Sequence, residues 1–226
     1  MKKREQKGIL ITFEGIDGSG KSSAARGLYE DLKDKYPVVL TREPGATQLG
    51  DILRNILQNR TFSMGAQAEY LLFAANRAQH FDEIVLPALE AGTIVISDRM
   101  ADSSFAYQGF GKGVDPSMIA LINDWVMKHR EPDATVYLEI DFKAALKRLA
   151  HRKEQATVFE REQASFFKRV TEGFEEAFKK RSGILRIDGA QPSEVVRDIV
   201  QKRVIDFLNL YMSQHAPSPR ILMDRS

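Results

Sequence analysis

The sequence predicts a three-layer α/β fold, a five-stranded parallel sheet with helices on both faces. Short β-branched runs alternate with helix-length stretches along the whole chain. The strand runs are apolar on both sides, as in a sheet covered above and below. The 226 residues hold no internal repeat, low-complexity segment or dividing linker, so one domain over 1–226 is expected.

Ile9-Leu10-Ile11-Thr12-Phe13 reads as a buried strand, followed by a helix from about Lys21 to Lys35. Pro37 to Thr41 is the second strand, and helical patterns follow at Gln48–Gln58 and Gln67–Ala91. Thr93–Ser97, Ala134–Leu138 and Ile184–Ile187 supply the remaining strands. Asp115-Pro116 places an N-cap before a proline at the first helical position. Gln191-Pro192-Ser193 opens a last amphipathic helix through Val196, Val200, Val204, Phe207 and Tyr211. The tail 214–226, with Pro217 and Pro219, is expected to be loose, and the polar segment 148–161, with four basic residues, is either a solvated helix face or a lid.

Composition narrows the function. Lys and Arg number 33 against 31 Asp and Glu, a net +2 that argues against coating nucleic acid. With no cysteine, disulfides, thiolate catalysis and cysteine-built metal sites are excluded. His80, His129, His151 and His215 lack metal-ligand spacing. The basic leader Lys2, Lys3, Arg4 and Lys7 precedes an apolar run too short for a secretory signal, and nowhere do about eighteen apolar residues run together. A cytoplasmic protein with no membrane partner is expected.

Gly15-Ile16-Asp17-Gly18-Ser19-Gly20-Lys21-Ser22 fits G-x-x-x-x-G-K-[ST], between a predicted strand and a predicted helix. Its glycines let backbone N–H groups turn inward around phosphate oxygens, and the helix N-terminus adds its dipole. Lys21 would meet the β- and γ-phosphates and Ser22 would hold Mg²⁺, with Ser23 completing the nucleotide contact. Asp98, after the third strand in sequence, is the second expected metal ligand, the alternative being a plain strand-end cap. No N-K-x-D guanine motif is present, so ATP is the expected donor.

Thr41-Arg42-Glu43-Pro44-Gly45 and Asp98-Arg99 follow strands, and a parallel sheet binds ligands outside its carboxyl ends. Two arginines there suit an anionic acceptor. Phe73 and Arg77 lie four apart on one helix and could meet a base, although alone they would read as core packing and a surface residue.

Phe13-Glu14-Gly15-x-Asp17-Gly18-x-Gly20-Lys21-Ser22, Thr41-Arg42-Glu43-Pro44-Gly45, Leu72-Phe73-Ala74-Ala75-x-Arg77, Asp98-Arg99 and Ser103-Ser104-x-Ala106-Tyr107-Gln108 together resemble the thymidylate kinases of the bacterial type, within the P-loop nucleoside monophosphate kinases. The resemblance runs from about Gly8 to Leu210. It implies the P-loop NTPase fold with a lid, a cytosolic homodimer, Mg²⁺, and transfer of the ATP γ-phosphoryl group to dTMP. Phe73 would stack on thymine, Arg77 would bond its O4 and Ser104 would face N3. Arg42 and Arg99 would hold the acceptor phosphate, Asp17 would reach the 3′-hydroxyl, and Tyr107 would crowd the 2′ position, with Ser103 and Gln108 shaping the pocket. Arg148 would lie against adenine, opposite the segment from Asp188 to Pro192.

The sequence departs from the family pattern in three places. Gly18 stands where some members carry an arginine, which moves the expected transition-state cation to the lid, first to Arg152 and then to Lys153 or Arg161. Thr157-Val158-Phe159-Glu160 replaces Asp-Arg-x-Glu, and Met100 replaces a tyrosine or histidine. Three rival functions stay open on the residues alone. A deoxynucleoside kinase could use Glu43 as base, another monophosphate kinase would share the acceptor arginines, and a non-enzymatic ATP-binding switch would not need them.

Overall fold

Ile9–Glu14 becomes the central strand, β1, because every residue in it is buried and both of its edges are paired. A computed structural model describes residues 8–59, 61–150 and 164–215 of the chain. Around β1 lie β2 (Val38–Arg42), β3 (Ile94–Asp98), β4 (Ala134–Glu139) and β5 (Ile184–Asp188), all parallel, in the order β2-β3-β1-β4-β5. The expected sheet is therefore present, and its strands end together. Register puts Phe13 opposite Asp98 and Val136, so the phosphate loop, Asp98-Arg99 and the end of β4 leave the sheet side by side.

Period-two alternation decides the two faces. Ile9, Ile11 and Phe13 pack with α1 (Lys21–Leu32) and α9 (Ser193–His215) through Ala24, Leu28, Val196, Val200 and Val204. Leu10 and Val95 point the other way, against Phe81, Val85, Leu89 and Val126. These come from Phe81–Val85, the π-helical continuation of α3 (Ala66–His80), from α4 (Leu86–Glu90) and from α6 (Pro116–Val126). Thr12, buried within this apolar sheet, is satisfied by Thr135 Oγ1 at 3.0 Å.

The long helix expected over Gln67–Ala91 is interrupted. Pro87 has no N–H and its ring crowds the carbonyl four residues back, and the π turn sits just before it, with Leu86 N donating to Phe81 O. Between α3 and β2 lies α2 (Gln48–Asn59). Asp115 does cap α6, accepting from Ser117 N at 2.8 Å. The final helix runs on through Gln214 to His215, past the expected break.

One element was not assigned from sequence, α5 (Ala101–Ser104) with its π-helical extension Phe105–Gly111. Helices α7 (Phe142–Ala150) and α8 (Ala164–Phe178) give bounds to the helical patterns expected on either side of the polar segment. Of the lid expected over 148–161, residues 151–161 lie outside the described residues, as does the tail from 216. Among the described residues no helix is long and apolar enough to cross a membrane.

Helix α8 closes over the extension of α5. Phe166, Phe167 and Phe174 meet Tyr107 edge-on, and Gly173 lets the backbones touch. A Cβ at Gly173 would stand 2.7 Å from Ala106 Cα and 2.9 Å from Phe110 Cβ. Gly173→Ala is thus expected to destabilise the fold by about 1–3 kcal/mol through overpacking. Urea unfolding measures this, and an unchanged midpoint would count against the packing.

Candidate active site

The phosphate loop is held open by close backbone packing. Gly18 has φ +83°, and a Cβ there would lie 2.6 Å from Ala145 O of α7. An arginine at this position would require α7 to move. The glycine is therefore matched to a loop that α7 covers. Ser22 and Ser23 at the start of α1 are exposed, whereas Lys21 is buried and folds back to 3.4 Å from Asp17 Oδ1. Burial and the neighbouring Arg99 push the Lys21 ammonium pKa down.

Arg99 enters from the end of β3. Its backbone is left-handed (φ +71°), a costly conformation away from glycine. The turn is fixed from both sides: Arg99 N donates to Phe13 O at 2.9 Å, and Met100 N to Glu14 Oε1 at 2.8 Å. Its guanidinium donates to Gly15 O (3.1 Å), Ser103 Oγ (2.8 Å) and Asp17 Oδ1 (2.5 Å), which engages three of its five N–H groups. Burial works against the Asp17 carboxylate, but Arg99 and Lys21 hold its pKa well below the usual range. Tyr107 accepts from Asp17 N at 3.1 Å.

Two further cations face this corner from β2 and α2. Arg42 is exposed, 3.5 Å from Asp51 Oδ1. Arg54 donates to Pro44 O at 2.8 Å, and burial and the charge of Arg42 lower its pKa. Sequence reasoning passed over Arg54. Its spacing one residue from buried Leu53 on an amphipathic helix was the available signal. Asp98 Oδ1 is buried with no hydrogen-bond partner among the described residues, and its charge acts on Lys21 and Arg99.

Behind the acceptor corner lies a buried polar network. Arg77, expected at the surface on residue type alone, is 1% exposed. It donates to Glu43 Oε2 (2.9 Å), Asn123 Oδ1 (2.6 Å), Met100 O (3.0 Å) and Ser104 Oγ (3.1 Å). Those contacts leave one N–H, on Nη1. The second oxygen of Glu43 accepts from His80 Nδ1 at 2.9 Å, and His80 Nε2 lies 2.6 Å from Thr41 Oγ1. Phe73, half-buried, packs on the cluster that includes Ile16 and Tyr107. Gln108 donates to buried Glu69 at 3.0 Å, with Lys112 on the other carboxylate oxygen. The sequence-derived set Asp17, Lys21, Phe73, Arg77, Arg99, Ser103, Ser104, Tyr107 and Gln108 thus forms one connected corner.

On the far side, Arg148 donates to Gly189 O (2.6 Å), Ala190 O (3.1 Å) and Gln191 O (3.1 Å), and approaches Ser19 O (3.4 Å). It joins the phosphate loop to the segment after β5. Arg152, with Lys153 and Arg161, lies outside the described residues.

A cradle for one phosphate chain, facing arginines suited to a second anion, defines a nucleotide kinase of the P-loop class. The profile described as thymidylate kinase matches residues 13–200. A thymidylate kinase of Halothermothrix orenii is 41% identical over 87% of this chain and 96% of its own, and one of Nitrosomonas eutropha is 42% identical over 87% and 94%. The crystal structure of the Ehrlichia chaffeensis thymidylate kinase superposes with a TM-score of 0.70 at 36% identity, covering 89% of this chain and 98% of that one. This chain belongs to the thymidylate kinase family.

Burial works against the Glu43 carboxylate, yet Arg77 and His80 hold its pKa below the ordinary value. A depressed carboxylate stabilises the fold above its unfolded pKa of about 4.3, and that contribution is lost as pH falls through the depressed folded value. Glu43→Ala is expected to cost about 3–5 kcal/mol at pH 7, because it strands Arg77 as a buried charge. Urea titrations at pH 7 and pH 3 check this: the difference from the parent chain shrinks at the lower pH, and a loss under 1 kcal/mol at pH 7 would contradict it.

Proposed function

We propose that the chain, acting as a single domain, transfers the γ-phosphoryl group of ATP to the 5′-phosphate of dTMP, giving dTDP and ADP. One observation carries this reading: Asp17 stands between the donor-side cation Lys21 and the acceptor-side cation Arg99. The line of transfer passes this carboxylate. An acceptor phosphate is already ionised near neutral pH, so the work is positioning and charge neutralisation.

In the complex, Lys21 and the loop N–H groups hold the donor phosphates. Arg99, with Arg42 and Arg54, grips the acceptor phosphate. Asp17 takes the 3′-hydroxyl, and Tyr107, wedged by the phenylalanines of α8, blocks a 2′-hydroxyl. Phe73 stacks on the base, the remaining Nη1 hydrogen of Arg77 meets O4, and Ser104 accepts from N3–H, with Ser103 and Gln108 bounding the pocket. Arg148 lines the adenine side. A lid cation, Arg152 first, completes charge neutralisation and excludes water.

The orphaned Asp98 Oδ1 and exposed Ser22 fit Mg²⁺, an oxygen-seeking cation that takes few protein ligands and completes its shell with phosphate and water. When bound, it would offset the charge of the phosphates. Glu43 also bears on the rivals: a nucleoside kinase needs a free base for a 5′-hydroxyl, and this carboxylate is tied to Arg77 and His80. The absence of cysteine and of a spanning helix among the described residues supports a cytoplasmic enzyme.

A second copy is the proposed partner. Helix α6 presents Met118, Leu121 and Trp125 to solvent, with Trp125 72% exposed, and Leu71 of α3 is 54% exposed. Their three- and four-residue spacing makes one apolar stripe, of the kind that marks an interface.

In a coupled assay with Mg·ATP, dTMP is expected to be the preferred substrate over dUMP, dCMP, AMP and thymidine. Lys21→Ala should lower turnover roughly a hundredfold or more. Activity on thymidine without activity on dTMP would overturn the assignment. For assembly, sedimentation should show a dimer that Trp125→Lys converts to monomer, and a dimer unaffected by that change would refute the α6 face.

A further inference from the structure

Glu14 is wholly buried, yet it carries a carboxylate into the end of the central strand. Burying such a group is costly unless donors meet it, and here two do. Oε1 accepts from Met100 N at 2.8 Å and Oε2 from the Ser103 hydroxyl at 2.5 Å. Both donors belong to the turn that carries Arg99, and Arg99 itself donates to the same Ser103 oxygen at 2.8 Å. Among the described residues no cation forms an ion pair with Glu14, so its charge is not there to close a salt bridge.

Burial and the charge of Asp102 push the Glu14 pKa up to about 7; above that pH the carboxylate only accepts, which fixes the direction of this chain of bonds. The single Ser103 hydrogen must point to Glu14, so a Ser103 lone pair is turned toward Arg99. The Nη1 edge of Arg99 is then bound to Ser103 Oγ and Gly15 O, both on the protein side. On the other side, Nη2 donates to Asp17 Oδ1 at 2.5 Å. The bond to Met100 N acts on the adjoining backbone, helping to hold Arg99 at φ +71°.

We propose that Glu14 is the positioning residue for Arg99: through Ser103 and the Met100 amide, it aims the guanidinium at the acceptor phosphate. The inference rests on the reading of Arg99 as the acceptor clamp, and it predicts a selective defect. Interactions with the phosphate weaken, while those with the base and sugar stay.

Glu14→Gln tests this with almost no change of shape. The two donors meet different oxygens, and the amide puts an NH2 in place of one of them, so either Met100 N or the Ser103 hydroxyl loses its acceptor. Calorimetry on the full chain should show dTMP binding weakened on the order of tenfold, with thymidine and ATP affinities unchanged within about twofold. Ser103→Ala should also weaken dTMP binding, and the double variant should lose less than the product of the two. Equal losses for thymidine and dTMP would mark Glu14 as merely structural, and an unchanged dTMP affinity would also overturn the proposal. Arg99→Ala in the same assay separates the two levels. If it too weakens dTMP and thymidine equally, the clamp reading fails. If it discriminates and Glu14→Gln does not, only the positioning role fails.

Discussion

The ion pair between Arg99 and Asp17 is the contact on which the site depends. Two cations cannot be held close in a half-buried pocket without an anion between them. Lys21 shows the strain directly, since burial and Arg99 both oppose its charge. Asp17, 2.5 Å from Arg99 and 3.4 Å from Lys21, supplies the missing negative charge within the phosphate loop itself. The same arrangement recurs around it: Arg42 lies by Asp51, and Arg77 by Glu43. Each cation is steadied before phosphate arrives, so less reorganisation remains at the moment of binding.

Specificity and stability share one buried network. Arg77 is tied by four contacts to β2's exit loop, the turn before α5, α5 and α6, so on the proposed reading a base would meet a group with no freedom to turn. Such a network is expensive when half-satisfied and selective when complete. Asn123 accepts from both Arg77 and Tyr70, which links this network to α6, the helix whose other face is the exposed apolar stripe.

The sheet was legible because its strands are buried on both sides and need no partner to be recognised. Phosphate-loop spacing placed Lys21 and Asp17 directly, since that chemistry is local in sequence. Long-range relations were harder to read. Residue type put Arg77 at the surface, because helical spacing tells which residues share a face but not that α6 will cover it. Glu14, Glu69 and Arg54 gave weak signals, their roles being set by contacts with residues 39 or more positions away or by the charges gathered around Arg42. The π turns at Phe81 and Phe105 were invisible to a 3.6-residue pattern, although Pro87 marks the first of them.

On the proposed reading, the neighbouring charges of Arg42, Arg54 and Arg99 make the acceptor bind as a dianion. The ³¹P resonance of dTMP, followed against pH in its complex with the protein, tests this most directly. Free phosphate monoesters take up their second proton near pH 6. On this account the bound phosphate ionises well below that value, because three guanidinium groups favour its charged form. A bound phosphate that titrates at or above the free value would contradict it.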